Sequence, residues 1–140
     1  MTIGAILNGR AILSVTTDTT IGDAVALLAQ HRIGAVPVLS DGGVEGVFSE
    51  RDLLHAIAAD GAGVVAHPVS TRMSAPAITV TPGHSVLGAL ALMTERRIRH
   101  LPVVDDGVLV GFVSIGDLVK HRIDGIEADA TAMRAYIQQR

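Results

Sequence analysis

Residues 46–52 have the sequence Gly-Val-Phe-Ser-Glu-Arg-Asp, and residues 111–117 repeat its pattern as Gly-Phe-Val-Ser-Ile-Gly-Asp. Each copy contains a glycine, two apolar residues and a serine, with an aspartate three positions after the serine. This order is typical of a strand that runs directly into a helix. The serine and the aspartate then lie in the first helical turn, where unpaired N–H groups and a partial positive charge attract anions.

The repeat extends over most of the chain at the same spacing of 65 residues. Identical pairs include Val15-Thr16 with Val80-Thr81, Ala26-Leu27 with Ala91-Leu92, Arg32-Ile33 with Arg97-Ile98 and Pro37-Val38 with Pro102-Val103. Upstream of these pairs the spacing becomes 66, which pairs Ile3 with Val69 and Leu7 with Met73. The chain is therefore a tandem duplication. We expect a first unit at residues 1–60, a Gly-rich mobile linker at 61–68, and a second unit at 69–140 with a C-terminal helix extension.

The composition excludes several classes of protein. The 140 residues are 49% hydrophobic but include no Trp, one Tyr and two Phe, so the core must be aliphatic. The absence of cysteine excludes disulfides, thiolate zinc sites and a cysteine nucleophile. No apolar run approaches the roughly 18 residues of a membrane span, and the N-terminus lacks the basic start of a signal peptide. We therefore expect a cytoplasmic protein without a membrane partner.

The distribution of charge and the spacing of the histidines argue against nucleic-acid binding and against a metal site. The net charge is −3, and no basic stripe is present that would bind duplex nucleic acid. The histidines other than His100 show no metal-ligand spacing, so no metal site is predicted.

Both units predict the same order of elements: strand, helix, strand, strand, helix. For the first unit we expect a helical turn at 3–8, a strand at 11–15, a helix from Thr20, a hairpin turning at Asp41-Gly42 and a final helix from Asp52. The matching elements of the second unit are a helical turn at 69–73, a strand at 76–80, a helix from Ser85, a hairpin turning at Asp106-Gly107 and a final helix from Asp117 to about Gln138. The proline in the first strand of each hairpin predicts an edge position or a bulge.

This order, the pattern Gly-x-x-Ser-x-x-Asp and the run Arg97-Ile98-Arg99-His100-Leu101-Pro102-Val103 together resemble the cystathionine-β-synthase (CBS) domain. Two copies resemble the CBS pair, or Bateman module, in its stand-alone prokaryotic form. The resemblance implies an α/β (α+β) fold in which the two units pack with pseudo-twofold symmetry. It also implies two clefts that bind adenosine-containing ligands such as AMP, ADP, ATP, NAD or S-adenosylmethionine, no catalytic cofactor, and a homodimer.

The resemblance assigns equivalent roles to the Ser–Asp pair of the first unit and the Ser–Asp pair of the second. Asp52 and Asp117 would accept hydrogen bonds from the two hydroxyls of a ribose, since an ionised carboxylate can accept two donors at once. Ser49 and Ser114 begin the helices that carry these carboxylates. The alternative is that both Ser–Asp pairs are capping boxes that only stabilise the helix starts.

The basic arm of the family's ligand site falls on Arg99 and His100, which would reach a phosphate. Each cleft of the family combines the Ser and Asp of one unit with the basic arm of the other. The cleft of Asp52 would thus receive Arg99 and His100, with Arg51 at its own helix start and Thr79 near the adenine. The cleft of Asp117 would receive only Gly34 and Ala35, so we expect it to bind phosphorylated ligands more weakly. Arg96 and Arg97 are interpreted as a solvated helix end.

The sequence thus predicts a regulatory, non-enzymatic module that binds an adenine nucleotide such as AMP or ATP and acts on an unidentified protein. The alternative is a dimerising adaptor whose clefts stay empty. CBS pairs also occur in inosine-monophosphate dehydrogenases, but those enzymes need a separate barrel and a cysteine nucleophile that this chain lacks. The final helix carries apolar side chains that we expect to be buried in a homodimer: Ile123, Ile126, Met133 and Ile137.

Overall fold

The computed structural model describes residues 1–7 and 9–138, which form two α/β units of the same design. The first part of the chain contains helix α1 (Gly4–Leu7), strand β1 (Val15–Thr16), α2 (Ile21–His31), β2 (Ala35–Ser40), β3 (Gly43–Ser49) and α3 (Glu50–Asp60). Two 3-10 turns follow at Ala62–Ala66 and Val69–Thr71. The remaining elements are α4 (Val86–Arg96), β4 (His100–Asp105), β5 (Val108–Ser114) and α5 (Ile115–Gln138). The mixed fold class and the repeated order of elements are confirmed.

The first strand of each unit is much shorter than predicted. In place of residues 11–15 and 76–80, β1 pairs in parallel with β2 only at Val15 and Thr16, and Val80 forms a single parallel bridge with Val103. The Pro102 carbonyl accepts a hydrogen bond from the Val80 N–H at 3.0 Å, but a proline has no backbone N–H with which to donate the next bond of the ladder. Pairing therefore cannot continue toward residue 76.

The repeated proline is followed by a bulge in both hairpins. The register shifts between Val38 and Leu39 in β2 and at the matching step of β4. The predicted bulge is therefore confirmed. The edge position is wrong for the first unit, because β2 is the middle strand of the order β1-β2-β3. Pro37 is accommodated there because β1 pairs with β2 only after it.

The two aliphatic cores exchange the segments that precede them. Ile3 and Ile6, at the start of the first sequence repeat, are buried in the core that Val86, Met93 and Leu118 form in the second unit. Val69, at the start of the second repeat, is buried in the core of the first unit. Each structural unit therefore completes its core with the lead-in segment of the other repeat.

Backbone hydrogen bonds fix this exchange with the same geometry in both units. The Ile3 N–H donates to the carbonyl of His84 at 2.9 Å, and the Val69 N–H donates to the carbonyl of Thr19 at 2.7 Å. His84 and Thr19 are 65 residues apart, which is the spacing of the repeat. The two lead-in segments are thus placed by the pseudo-twofold symmetry predicted from the sequence.

The segment 61–68, which the sequence predicts as a mobile linker, is packed against the first unit. Val64 is 1% exposed and belongs to the same core as Val69. The Ile21 N–H donates to the carbonyl of His67 at 2.8 Å, which attaches the segment to the start of α2. Gly61, with φ of 80°, allows the turn, and the buried Val64 holds the segment in place. Residues 60 and 69 therefore separate the two sequence repeats, but each core contains residues from both sides of these boundaries.

Helix α5 extends beyond the core of the second unit. Its first turns pack through Leu118, which is fully buried. From Ile126 to Gln138 every residue is exposed. The predicted C-terminal extension is thus a continuous helix whose second half makes little contact with the protomer.

Candidate functional site

The first candidate site lies where β3 ends and α3 begins. Ser49 caps α3: its hydroxyl accepts from the Asp52 N–H at 3.3 Å, while the Asp52 carboxylate accepts from the Ser49 N–H at 2.9 Å. The Ser49 hydroxyl also donates to the same carboxylate oxygen at 3.0 Å. This is a full capping box, so the structural role considered for the pair is confirmed. The second carboxylate oxygen of Asp52 points away from the box.

That second oxygen accepts a hydrogen bond from Ser74, a residue that the sequence reasoning missed. The Ser74 hydroxyl donates to Asp52 Oδ1 at 2.9 Å. Ser74 reaches Asp52 because its segment pairs with β3 at Val47. Only knowledge of the exchanged lead-in segment would have placed Ser74 beside Asp52.

A cavity of about 380 Å³ opens over this carboxylate. It contains Ser49, Arg51, Asp52, Arg99 and His100 together, so the structure brings these predicted site residues into one place. It also contains the acidic Glu50 and an apolar wall. The remaining lining residues are Gly34, Val47, Ser74, Pro76, Ala77, Ile78, Arg97 and Ile98.

One sequence assignment is extended in this cavity and another changes. Arg97 lies exposed at the end of α4, as interpreted, and as the left-handed C-cap of that helix, with φ of 55°, it also lines the cavity. Thr79 is exposed and is absent from the lining, so its predicted place beside an adenine is not supported. Because no extended strand forms over residues 76–80, the apolar wall is provided by Ala77 and Ile78 instead.

The second candidate site repeats the capping box at the start of α5. The Ser114 N–H donates to Asp117 at 2.9 Å, and the Asp117 N–H donates to the Ser114 hydroxyl at 3.1 Å. The other Asp117 oxygen forms an ion pair with Arg10 at 3.3 Å. Partial burial favours a higher pKa for Asp117, but the bonds from Ser114 and Arg10 outweigh it and hold the pKa below its ordinary value.

The cavity at Asp117 is not as poor in cations as the sequence predicts. Its volume is about 400 Å³, and Gly34 and Ala35 do line it, as expected. Arg10 and Arg32 line it as well. Arg10 has no counterpart in the repeat, so no sequence signal marked it. Arg32 corresponds to Arg97 and has the same left-handed conformation, with φ of 53°. The further lining residues are Leu7, Ala11, Ile12, Leu13, Ile33, His100, Val110, Gly111, Phe112, Ser114 and Asp117.

The two cavities differ in how many of their arginines are already paired. Arg51, Arg97 and Arg99 line the Asp52 cavity, and none of them forms an ion pair within the part of the chain that the structure describes. In the Asp117 cavity Arg10 is paired with the carboxylate, which leaves Arg32. The arginines expected at Asp52 are therefore present, but the difference between the cavities is smaller than the sequence predicts, because Arg32 and the paired Arg10 line the other cavity.

His100 lies between the two cavities and lines both. Its ring stacks on Phe112 with the centroids 5.5 Å apart and the planes 10° from parallel. Burial lowers the pKa of His100 from its ordinary value of 6.5, although Asp117 and Glu50 partly oppose the shift. The lowered pKa favours the neutral form of His100 at neutral pH in the free protein, so its predicted contact with a phosphate would not depend on a positive charge.

Two structural absences apply to residues 1–7 and 9–138. In this part of the chain no helix has the length and apolar character needed to cross a membrane. Nor do three or more His, Asp or Glu side chains gather there in a way that would hold a metal ion.

The fold and the two equivalent clefts define a duplicated α/β module. The CBS domain model matches residues 4–59 and 69–124, so the chain belongs to the CBS domain family and contains two CBS domains.

Individual relatives agree with this assignment. The chain is 40% identical over 128 residues to the mitochondrial CBS domain-containing protein CBSX3 of Arabidopsis thaliana, a match that covers 88% of this chain but 62% of that protein. It is 35% identical over 117 residues to the CBS domain-containing protein YhcV of Bacillus subtilis, covering 84% of this chain and 83% of YhcV. The crystal structure of ATU1752 from Agrobacterium tumefaciens, a CBS-domain containing protein, superposes with a TM-score of 0.82 at 38% identity, covering 87% of this chain and 99% of that one.

Two further similarities bear on function. The crystal structure of CBSX2 in complex with AMP superposes with a TM-score of 0.75 at 27% identity and covers 88% of this chain and 96% of that one. The inosine-5'-monophosphate dehydrogenase of Mycobacterium tuberculosis is 38% identical over 105 residues, but the match covers 74% of this chain and only 19% of the enzyme. The region shared with the dehydrogenase is thus a minor part of that enzyme.

Proposed function

We propose that this chain is a regulatory module that binds an adenosine-containing ligand in the clefts between its two CBS units. The candidate ligands are AMP, ADP, ATP, NAD and S-adenosylmethionine, with AMP or ATP preferred. The observation that carries the proposal is the Asp52 cavity, which combines in about 380 Å³ a carboxylate, an apolar wall and three arginines that form no ion pair with the residues that the structure describes. These are the groups that a ribose, a base and a phosphate require.

The ribose would bind at the Asp52 carboxylate. The capping box occupies one carboxylate oxygen, while the other accepts the hydroxyl of Ser74. A serine hydroxyl rotates at little cost, so a ribose hydroxyl can replace it and a second can use the remaining lone pair. Capping and ligand binding are therefore compatible roles of the same aspartate.

The base and the phosphate would contact different groups of this cavity. Ala77, Ile78 and Ile98 give an apolar surface on which an adenine can lie. Arg99 and Arg51 lie within the same cavity, and a guanidinium binds phosphate through two parallel hydrogen bonds. Glu50 opposes the phosphate electrostatically, which favours a ligand with few phosphate charges, such as AMP, over ATP.

The Asp117 cleft is proposed as the weaker site. Arg10 already neutralises Asp117, and a ribose would have to share or displace that ion pair. The pair is exposed, with half of the Arg10 side chain accessible, so its displacement costs a small amount of binding free energy.

The AMP complex of CBSX2 supports adenosine-type ligands for this fold.

One other function remains as an outcome of the test. A ligand-free dimerising adaptor would keep the capping boxes and leave both cavities empty. A catalytic role is not proposed, because the match to the dehydrogenase covers only 19% of that enzyme. The homodimer, the regulated partner protein and the cytoplasmic location remain predictions that accompany the proposal.

Thermal unfolding with candidate ligands tests the proposal. A ligand that binds only the folded state stabilises it by about 2.7 kcal/mol at a hundredfold excess over its dissociation constant. We expect millimolar AMP to raise the melting temperature. Arg99→Gln should weaken AMP binding roughly tenfold, since a charged hydrogen bond contributes about 1.5–3 kcal/mol. Arg96→Gln is the matched control, because Arg96 is exposed and lines neither cavity. No shift with any of the five candidate ligands would favour the empty adaptor.

A further inference from the structure

Helix α5 carries a regular apolar seam that the protomer leaves exposed. Six apolar residues follow one another at alternating spacings of four and three: Val119, Ile123, Ile126, Ala130, Met133 and Ile137. This alternation is the a/d pattern of a heptad repeat, in which the seam faces a partner helix. All six residues are exposed in the protomer, Ile123 by 50% and Met133 by 60%.

The second half of α5 is expected to be only marginally stable as an isolated helix. From Ile126 to Gln138 every residue is exposed, so packing within the protomer does not stabilise this half. Isolated helices shorter than about 12–15 residues are marginal in water. Gly125 lowers the helix propensity further at the point where the helix leaves the core. A partner along the seam would supply the missing stabilisation.

The charges beside the seam select the partner and its direction. With Ile123 and Ala130 at position a, Arg122 and Asp129 occupy g positions, and Glu127 and Arg134 occupy e positions. In a parallel, in-register pair each g residue faces the e residue five positions further along the other helix. Arg122 then faces Glu127 of the second copy, and Asp129 faces Arg134 of the second copy. Both contacts pair opposite charges.

These four side chains are not engaged in ion pairs with the described part of their own chain. Residues five positions apart do not face each other on one helix, so Arg122 cannot pair with Glu127 of its own chain along α5. The complementary charges are therefore available to a second copy.

An antiparallel pair would place like charges together. Aligning the seams so that Ile123 faces Met133 of the other copy brings e residues opposite e residues and g opposite g. Glu127 then faces Glu127, and Asp129 faces Asp129. Lys120, at the preceding e position, faces Arg134. Like charges at these positions oppose association.

We propose that α5 forms a parallel, in-register coiled coil with α5 of a second copy of this chain. The inference rests on the proposed homodimer and specifies its geometry, and it does not depend on nucleotide binding. Since the seam begins at Val119, two residues after Asp117, a parallel pair places the Asp117 clefts of both copies at the same end of the coiled coil. The complementary surface is thus α5 itself.

Single cysteines test the direction, because the natural chain contains none. In a parallel pair residue 133 faces its own equivalent, so Met133→Cys should form an intermolecular disulfide under mild oxidation. Ala135→Cys, on the outer face of the same turn, is the control and should remain reduced. In an antiparallel pair Met133→Cys alone would not cross-link, whereas Ile123→Cys/Met133→Cys would, and that result would overturn the parallel geometry.

A charge reversal supplies an independent readout by light scattering. Glu127→Arg should weaken the dimer roughly tenfold, since it replaces two symmetric attractions with repulsions. Arg122→Glu/Glu127→Arg should restore it, whereas an antiparallel pair predicts no such rescue. A dimeric mass without the Met133→Cys disulfide would overturn the coiled coil but leave the homodimer. A monomeric wild-type mass at tens of micromolar would overturn both.

Discussion

Gly46 and Gly111, the first residues of the repeated pattern, are required by packing. A Cβ on Gly46 would lie 2.7 Å from the carbonyl oxygen of Ser74 and 2.9 Å from the sulfur of Met73. A Cβ on Gly111 would instead meet the side chain of Leu7. In both units the glycine therefore lets the exchanged lead-in segment lie against the last strand. In the first unit this close approach also brings Ser74 to Asp52.

Gly46→Ala should destabilise the protein more than Gly111→Ala. At Gly46 the new methyl group meets a backbone carbonyl, which cannot move without the segment, so we expect a loss of about 1–3 kcal/mol. At Gly111 the end of the Leu7 side chain can change rotamer, so the loss should be smaller. Urea denaturation of both variants measures the difference. A larger loss for Gly111→Ala would show that the approach of Ser74 to β3 is not the tighter contact.

The lowered pKa of His100 makes stability depend on pH. Burial holds the pKa of folded His100 below 6.5, so the unfolded chain binds more protons between the two values. Stability at His100 is therefore lost as the pH falls from about 7 through 6.5 and toward the folded pKa. His100→Gln should flatten this part of the stability profile, whereas His31→Gln, at an exposed histidine, should not. An unchanged slope for His100→Gln, measured by denaturation at several pH values, would contradict the assignment.

At the scale of elements, the exchanged lead-in segments make each unit depend on the other repeat. Ile3→Ala removes a fully buried side chain from the core of the second unit and should cost about 2–5 kcal/mol. Amide hydrogen exchange should accelerate in α4, β4 and β5. Val69→Ala is the symmetric variant and should affect α2, β2 and β3 instead. Faster amide hydrogen exchange of α2 in Ile3→Ala, with α4 unchanged, would contradict the assignment of Ile3 to the core of the second unit.

The sequence predicted the elements whose local signal is strong. The helices begun by Thr20 and Ser85 have caps and apolar side chains at helical spacing, and the hairpins have their Asp-Gly turns. The exchange could not be predicted, because Ile3 and Val69 are equivalent in the repeat and fit either core. The packing of Val64 was hidden by the glycines beside it. At the site, the residues marked by the repeat or by the family resemblance were found, whereas Arg10 and Ser74 reach it only through the tertiary fold.

At the scale of the whole molecule, a nearly symmetric fold holds two unequal clefts. Both begin from a capping box of the same geometry. The difference arises from residues outside the repeated pattern: Arg10 pairs with Asp117, while Ser74 contacts Asp52. His100 lines both cavities, so a ligand in one cleft would lie beside a residue of the other. In the proposed function the molecule would thus bind one preferred ligand beside a second, weaker site.

Calorimetric titration of AMP into Asp52→Asn and Asp117→Asn tests this account most directly. Asparagine keeps a side-chain oxygen for the helix cap, so both variants should fold, and their melting temperatures serve as the control. Because Asp52 shares its cavity with three arginines that have no ion pair in the described part of the chain, we predict that Asp52→Asn removes the tight site and that Asp117→Asn leaves its affinity unchanged. Loss of the tight site in Asp117→Asn, with Asp52→Asn binding like wild type, would contradict the account.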